Sequence, residues 1–185
     1  MKIKQTNGRL PEWAATMAVV TNAGGLVGKQ QGEQVDAFGR VARFNNFSTA
    51  AEFVPDVGKK TSVWISSFYL DIVNPRQEFE AVFVPLPVEL SRRYIKRPEL
   101  EERYRDRTTY IPLQTFEDLR KQIPNPSTGV AFIWWMFSEF GKVDRRQLFG
   151  FEFFKPGIRH HYGDDKTACL HDGRIERTVF EKITY

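Results

Sequence analysis

The sequence predicts an α/β layered domain built on a mostly parallel sheet. Three observations carry that prediction. Short runs rich in β-branched and aromatic residues alternate with segments of helical spacing along the whole chain. The first run, 16–20 (TMAVV), is continuously apolar, as a strand buried on both faces should be, and it enters a Gly-rich turn at 21–25 (TNAGG). The chain has 185 residues, 41% hydrophobic and 27% charged, which suits one ordinary domain with a folded core and is short for two.

The elements follow in order. After the first strand and turn, 31–38 is expected as a short helix, and 40–44 (RVARF) returns as a second strand, giving the start of a βαβ unit. Residues 61–73 (TSVWISSFYLDIV) and 80–85 (EAVFVP) read as further strands. Residues 88–106 are charged and helical in character, interrupted by Pro98, and 116–123 reads as a short helix stopped by Pro124-Asn125-Pro126. Ser127 is then an N-cap for a helix running to about Phe140, with Gly141 as its stop. That helix is apolar all round and should be buried. Residues 147–154 (QLFGFEFF) read as a strand, and Ile175, Val179, Phe180 and Ile183 keep the spacing of a closing helix.

Bulk properties narrow the partners. A net charge of +4 is mild and suits a small anionic ligand. No dense Lys/Arg block with interleaved aromatics occurs, so no nucleic-acid partner is expected. The most basic run, Ser91-Arg92-Arg93-Tyr94-Ile95-Lys96-Arg97, reads as a solvated helix face. The single cysteine, Cys169, allows no intramolecular disulfide and favours a reducing compartment. It lies between histidines, yet a small half-buried filler accounts for it better than a nucleophile. Residues 1–7 lack the apolar stretch of a signal peptide, and the longest apolar run, 130–137, is too short to span a bilayer. A cytoplasmic protein without a transmembrane segment is therefore expected. The 16 Phe and four Trp serve an association surface as readily as a core, so the oligomeric state stays open.

Four segments carry chemistry. The turn 23–30 (AGGLVGKQ) approaches a phosphate loop, but Ala23 replaces its first Gly and Gln30 the Mg²⁺-binding hydroxyl, so an ATPase is excluded. What remains is Asn22 beside a turn that lets backbone approach a ligand, or simply a tight turn. Asn45 ends the second strand, where ligands of parallel sheets bind, although an Asn there also serves ordinary turns. Pro126-Ser127-Thr128-Gly129 gathers free N–H groups, two hydroxyls and the positive end of a helix dipole, which suits a phosphate or ribose as well as a plain cap. Finally, all three histidines, His160, His161 and His171, fall within twelve residues. Histidine is the side chain best poised for proton transfer near neutral pH. With Asp164, Asp165 and Glu176 they could also hold Zn²⁺, but without an HExxH pattern or a cysteine pair acid–base work ranks above metal. Glu176 in a first helical turn also complements the helix dipole.

In this order the segments resemble the sialyltransferase family of animal type, glycosyltransferase family 29. The long motif is similar to 18–23 (AVVTNA) through Val35-Asp36 to 41–47 (VARFNNF), the short motif to Pro126-Ser127-Thr128-Gly129 through 148–151 (LFGF), the third motif to His161-Tyr162-Gly163-Asp164, and the very short motif to His171 with Glu176 five residues on. Residues 56–61 (DVGKKT) also resemble the family. The cysteines of the long and short motifs are absent, so the disulfide that joins them in secreted members cannot form, which agrees with a bacterial or phage-like member. Residues 71–124 match poorly, and they would include the acceptor site.

The resemblance implies a single catalytic domain over 1–185, a three-layer Rossmann-like fold of GT-A-like type, and an inverting, metal-independent transfer. The sugar, sialic acid, would pass from a CMP-sugar donor to a glycan acceptor hydroxyl, with no other cofactor. Asn22 and Asn45 would hold phosphate and ribose, and Ser127, Thr128 and Gly129 would line the nucleotide pocket. His171 would be the general base, and His161, supported by Tyr162, would bond the departing phosphate. A CMP-Kdo transferase, or a nucleotide-binding protein that has lost transfer, are the alternatives.

Overall fold

The computed structural model describes residues 8–68, 78–94, 97–153 and 171–185. Among the described residues six strands form one sheet: β1 (Ala18–Val20), β2 (Val41–Phe44), β3 (Val63–Ile65), β4 (Ala81–Val84), β5 (Thr108–Tyr110) and β6 (Leu148–Phe149). Their spatial order is β5-β4-β3-β2-β1-β6, and every pairing is parallel. The chain thus steps outward from β1 to β5, then returns to lay β6 on the other side of β1. Val19 pairs with Leu148 on that side, and Ala18 with Val41 on the other.

Helices cover both faces, which makes three layers. Val19, Ala42, Val63, Ile65, Ala81 and Phe83 point into the larger core, beneath α5 (Leu113–Gln122), α6 (Thr128–Phe140) and α7 (Gly173–Ile183). On the opposite face Ala18, Val20, Val41 and Phe149 meet Val35 of α1 (Gly32–Asp36) and Val57 of α2 (Val54–Val57). Trp64, Val82 and Val84 of that face pack on Leu100 and Tyr104 of α4 (Pro98–Tyr104). α3 (Val88–Tyr94) precedes α4, and Pro98 opens α4 at a position where its missing N–H costs nothing. Because both faces are buried, β1, β3 and β4 read as continuous apolar runs rather than alternating ones.

α6 behaves as its sequence requires. Ser127 Oγ accepts from the Val130 N–H at 3.3 Å, and Gly141 ends the helix at φ +80°. Phe132 stacks on Phe83 of the central sheet at 5.7 Å. Among the described residues no helix is long and apolar enough to cross a membrane.

Three segments differ from expectation. The run 61–73 pairs only over Val63–Ile65; the Ser66 N–H still donates to the Phe83 carbonyl, and the chain then bends at Phe68, whose φ is +54°, while residues 69–73 lie outside the described residues. The run 147–154 pairs only over Leu148–Phe149, because Gly150 at φ +78° bends it off the ladder. β5 is a strand the sequence reading leaves out: its Thr-Thr-Tyr favours extended backbone, but three residues at a sheet edge, behind a charged helical segment, are too few to show a period.

Arg43 is a buried charge inside β2, 1% exposed. Its guanidinium donates to the carbonyls of Val57, Gly58 and Lys60 and to Thr61 Oγ1. Burial pushes its pKa down to about 10, against the pull of Asp36, so it stays charged at neutral pH. Residues 56–61 are therefore wrapped around a cation, with Asp36 bonding the backbone N–H groups of Lys59 and Lys60.

Candidate functional site

The carboxyl ends of β1 and β6 lie side by side where the order of strands reverses, the position at which open parallel sheets form a ligand crevice. The loops leaving these strands are knitted together. The Thr21 N–H donates to the Phe149 carbonyl at 3.0 Å, and its hydroxyl to the Gly150 carbonyl at 2.6 Å. Gly150 must be glycine twice over: its φ is positive, and a Cβ would sit 2.5 Å from Thr21 Oγ1 and 2.8 Å from Leu26. Glu152 reaches back across the gap, and one carboxylate oxygen accepts from the Gly25 N–H at 3.2 Å. A Cβ on Gly25 would overlap that carboxylate.

The two asparagines occupy the neighbouring strand ends, with different duties. Asn22 is 8% exposed, and its amide nitrogen donates to the carbonyls of Phe44 at 3.0 Å and Asn46 at 2.5 Å. An amide nitrogen has two hydrogens, so both are directed at the end of β2. Asn45 sits at φ +40°, a region that Asn tolerates, and its Oδ1 accepts from the N–H and the hydroxyl of Ser67. Its Nδ2 has no hydrogen-bond partner among the described residues.

Phe151 joins these strand ends to the helices. Its ring meets Phe44 edge-on at 6.3 Å and stacks on Phe180 of α7 at 5.2 Å, and a Cβ on Gly129 of α6 would lie 3.5 Å from it. The start of α6 therefore faces the carboxyl edge of the sheet. The first-turn N–H groups of Thr128 and Gly129 have no acceptor within the helix. Ser127 is anchored elsewhere: its N–H donates to Glu176 Oε1 at 2.6 Å and its hydroxyl to Oε2 at 2.8 Å.

Glu176 is 1% exposed. Burial raises its pKa; the two bonds from Ser127 and the proximity of His171 oppose the rise, while Asp172 adds to it. Its charge faces the N-terminus of α6 rather than only that of its own helix, which Asp172 caps through the N–H groups of Arg174 and Ile175. His171, half-buried just before α7, places Nδ1 3.0 Å from the Asn125 carbonyl. A carbonyl only accepts, so this contact puts a proton on Nδ1 and makes Nε2 the nitrogen that carries the lone pair whenever the ring is neutral.

Asn22, Asn45, Ser127, Thr128, Gly129 and His171 thus belong to one edge of the molecule. His160, His161, Tyr162, Gly163, Asp164, Asp165 and Cys169 lie outside the described residues. Among the described residues no three His, Cys, Asp or Glu side chains come together as a metal site. Sequence reading gives no role to Glu152 or to the Asn125 carbonyl, and names Phe151 only as the end of the short motif. Glu152 had one signal, a lone charge in the apolar run 147–154; a backbone carbonyl has none.

Residues 11–85 match the family model of glycosyltransferase family 29 (sialyltransferase). The likeness is to sialyltransferases. Over 70 residues the chain is 39% identical to a beta-galactoside alpha-2,6-sialyltransferase 2 of Bos taurus, a stretch that makes up 38% of this chain and 14% of the bovine protein. The chain thus spans only a small part of that relative's length. Two crystal structures of a mammalian sialyltransferase share the fold, with TM-scores of 0.65 and 0.66, at 20% identity over 91% of this chain and 68% of theirs. The second is a complex with Gal-beta-1-3GalNAc-ortho-nitrophenol. The family match takes in β1 to β4 with Asn22 and Asn45, and stops short of α6 and α7.

Proposed function

We propose that this chain is a sialyltransferase of family 29 type, a single catalytic domain on a Rossmann-like, GT-A-like scaffold. It moves sialic acid from CMP-sialic acid to a glycan hydroxyl, with inversion and without a metal. One observation carries the reading: Ser127 of α6, Glu176 of α7 and the adjacent His171 meet at the same sheet edge as Asn22 and Asn45, which lie inside the family match.

His171 is the base. With Nδ1 held by the Asn125 carbonyl, Nε2 takes the proton of the acceptor hydroxyl as its oxygen bonds to the anomeric carbon. The bond from that carbon to the phosphate oxygen breaks, and CMP departs with the electron pair. The N–H groups of Thr128 and Gly129 and the positive end of α6 favour the leaving phosphate. Asn45 Nδ2 donates to the nucleotide, while Asn22 holds the ends of β1 and β2 in place. His161, with Tyr162 beside it, bonds the departing phosphate.

The test follows CMP release from CMP-sialic acid with and without a galactoside acceptor. Acceptor-dependent release is expected, and His171→Ala should lower it by about 10²–10⁴-fold, the usual contribution of a positioned base, with CMP affinity nearly unchanged. Normal turnover in that variant removes the base assignment. Turnover only with CMP-Kdo redirects the donor, and CMP binding without any turnover reduces the protein to a binding module.

A further inference from the structure

Glu152 lies just past the end of β6, half-buried, at the point where the strand order reverses. One of its oxygens is fixed by the Gly25 N–H, and that approach requires glycine at 25. Its other oxygen, Oε1, has no hydrogen-bond partner among the described residues. The result is a carboxylate held by backbone, with one face unused, beside the Gly-rich turn.

We infer that Glu152 reads the sugar of the bound nucleotide, accepting hydrogen bonds from the ribose hydroxyls. The inference rests on the CMP-sugar reading above. An ionised carboxylate only accepts, so it repels phosphate oxygens and selects groups that donate. In CMP these are the ribose 2′- and 3′-hydroxyls and the cytosine amino group. The ribose is favoured because Glu152 is tied to the Gly-rich turn after β1, at the crevice where the strand order reverses and parallel sheets seat a nucleotide. Because Gly25 holds the carboxylate in advance, little side-chain freedom is lost on binding.

Calorimetric titration of the full chain with CMP, 2′,3′-dideoxy-CMP and UMP tests this, comparing wild type with Glu152→Ala and Glu152→Gln. Wild type should bind CMP at least about tenfold tighter than the dideoxy analogue, in line with a hydrogen bond to a charged group. Glu152→Ala should lose that factor for CMP alone and bind both nucleotides equally. Glu152→Gln, which keeps the length and one acceptor oxygen, should retain part of the discrimination, and it serves as the reading if thermal melts show the alanine variant unfolded. Equal weakening of CMP and the dideoxy analogue makes Glu152 a strut between loops and overturns the inference. Tighter binding of both makes Glu152 an obstacle to the nucleotide and overturns it too. Loss of CMP-over-UMP preference instead transfers its role to the base and also overturns it. A wild type that binds none of the three defeats the CMP-sugar reading itself, an outcome distinct from a changed ratio.

Discussion

Glu176 sets its charge against the start of a neighbouring helix, and burial makes that arrangement sensitive to pH. Its pKa is raised above 4.5, the value of the unfolded chain. A carboxyl raised in this way favours the fold when protonated. Its contribution is therefore complete below pH 4.5 and is lost as pH rises through the folded value. The Ser127 donors recover part of the cost of the buried charge. Glu176→Gln removes the titration and keeps the shape. Urea unfolding of both proteins between about pH 4.5 and 8 should show the stability difference moving in the variant's favour as pH rises. A difference that stays flat would mean the carboxylate is not desolvated. In the proposed transfer, activity should fall less in this variant than in His171→Ala, since Glu176 acts indirectly, through Ser127, the start of α6 and its field on His171.

At the scale of elements, the end of β6 carries the most constraint for its length. Two paired residues are followed by a bend at Gly150, and the bend brings Phe151 under α6 and Glu152 over Gly25. Gly150→Ala adds left-handed strain and drives a methyl into Thr21 and Leu26. A loss of about 2–4 kcal/mol in urea unfolding is expected, with nucleotide binding reduced in whatever still folds. A loss below about 1 kcal/mol would show that the β1 and β6 loops give way easily. This element also shows where sequence reading stopped. The run 147–154 reads as one strand because Phe and Leu recur through it; its one Gly is compatible with a bulge, a bend or a close backbone approach, and only the fold shows that it is a positive-φ bend. By contrast α6 was legible to its ends, since a Ser cap, an apolar body and a terminal Gly are local signals. The cap's second partner was not legible: Glu176 lies 49 residues away, and its own helix gave it a sufficient local reason. Asn22 and Asn45 were placed correctly at strand ends, but which of them keeps a donor for a ligand depends on carbonyls and a serine contributed by other strands.

Across the whole molecule, the sheet order does the gathering. Stepping from β1 out to β5 and back to β6 returns the chain to its first turn after more than a hundred residues, and α6 and α7 then cover the same face. Five separate stretches, at 21–25, 45–46, 127–129, 150–152 and 171–176, share one edge without a continuous motif. A ligand seated there would bridge the loops of β1 and β6 and the starts of both helices, and so would resist global unfolding. CMP at about 100 times its dissociation constant should add about 2.7 kcal/mol of stability. For a chain of this size that is a rise in melting temperature of roughly 5–10 °C. If the phosphate of CMP meets the start of α6 as proposed, cytidine should raise it less at equal concentration, and raised salt should narrow the gap between the two. An identical shift from cytidine and CMP would mean that the start of α6 takes no part in binding, and the phosphate would have to be sought elsewhere on the molecule.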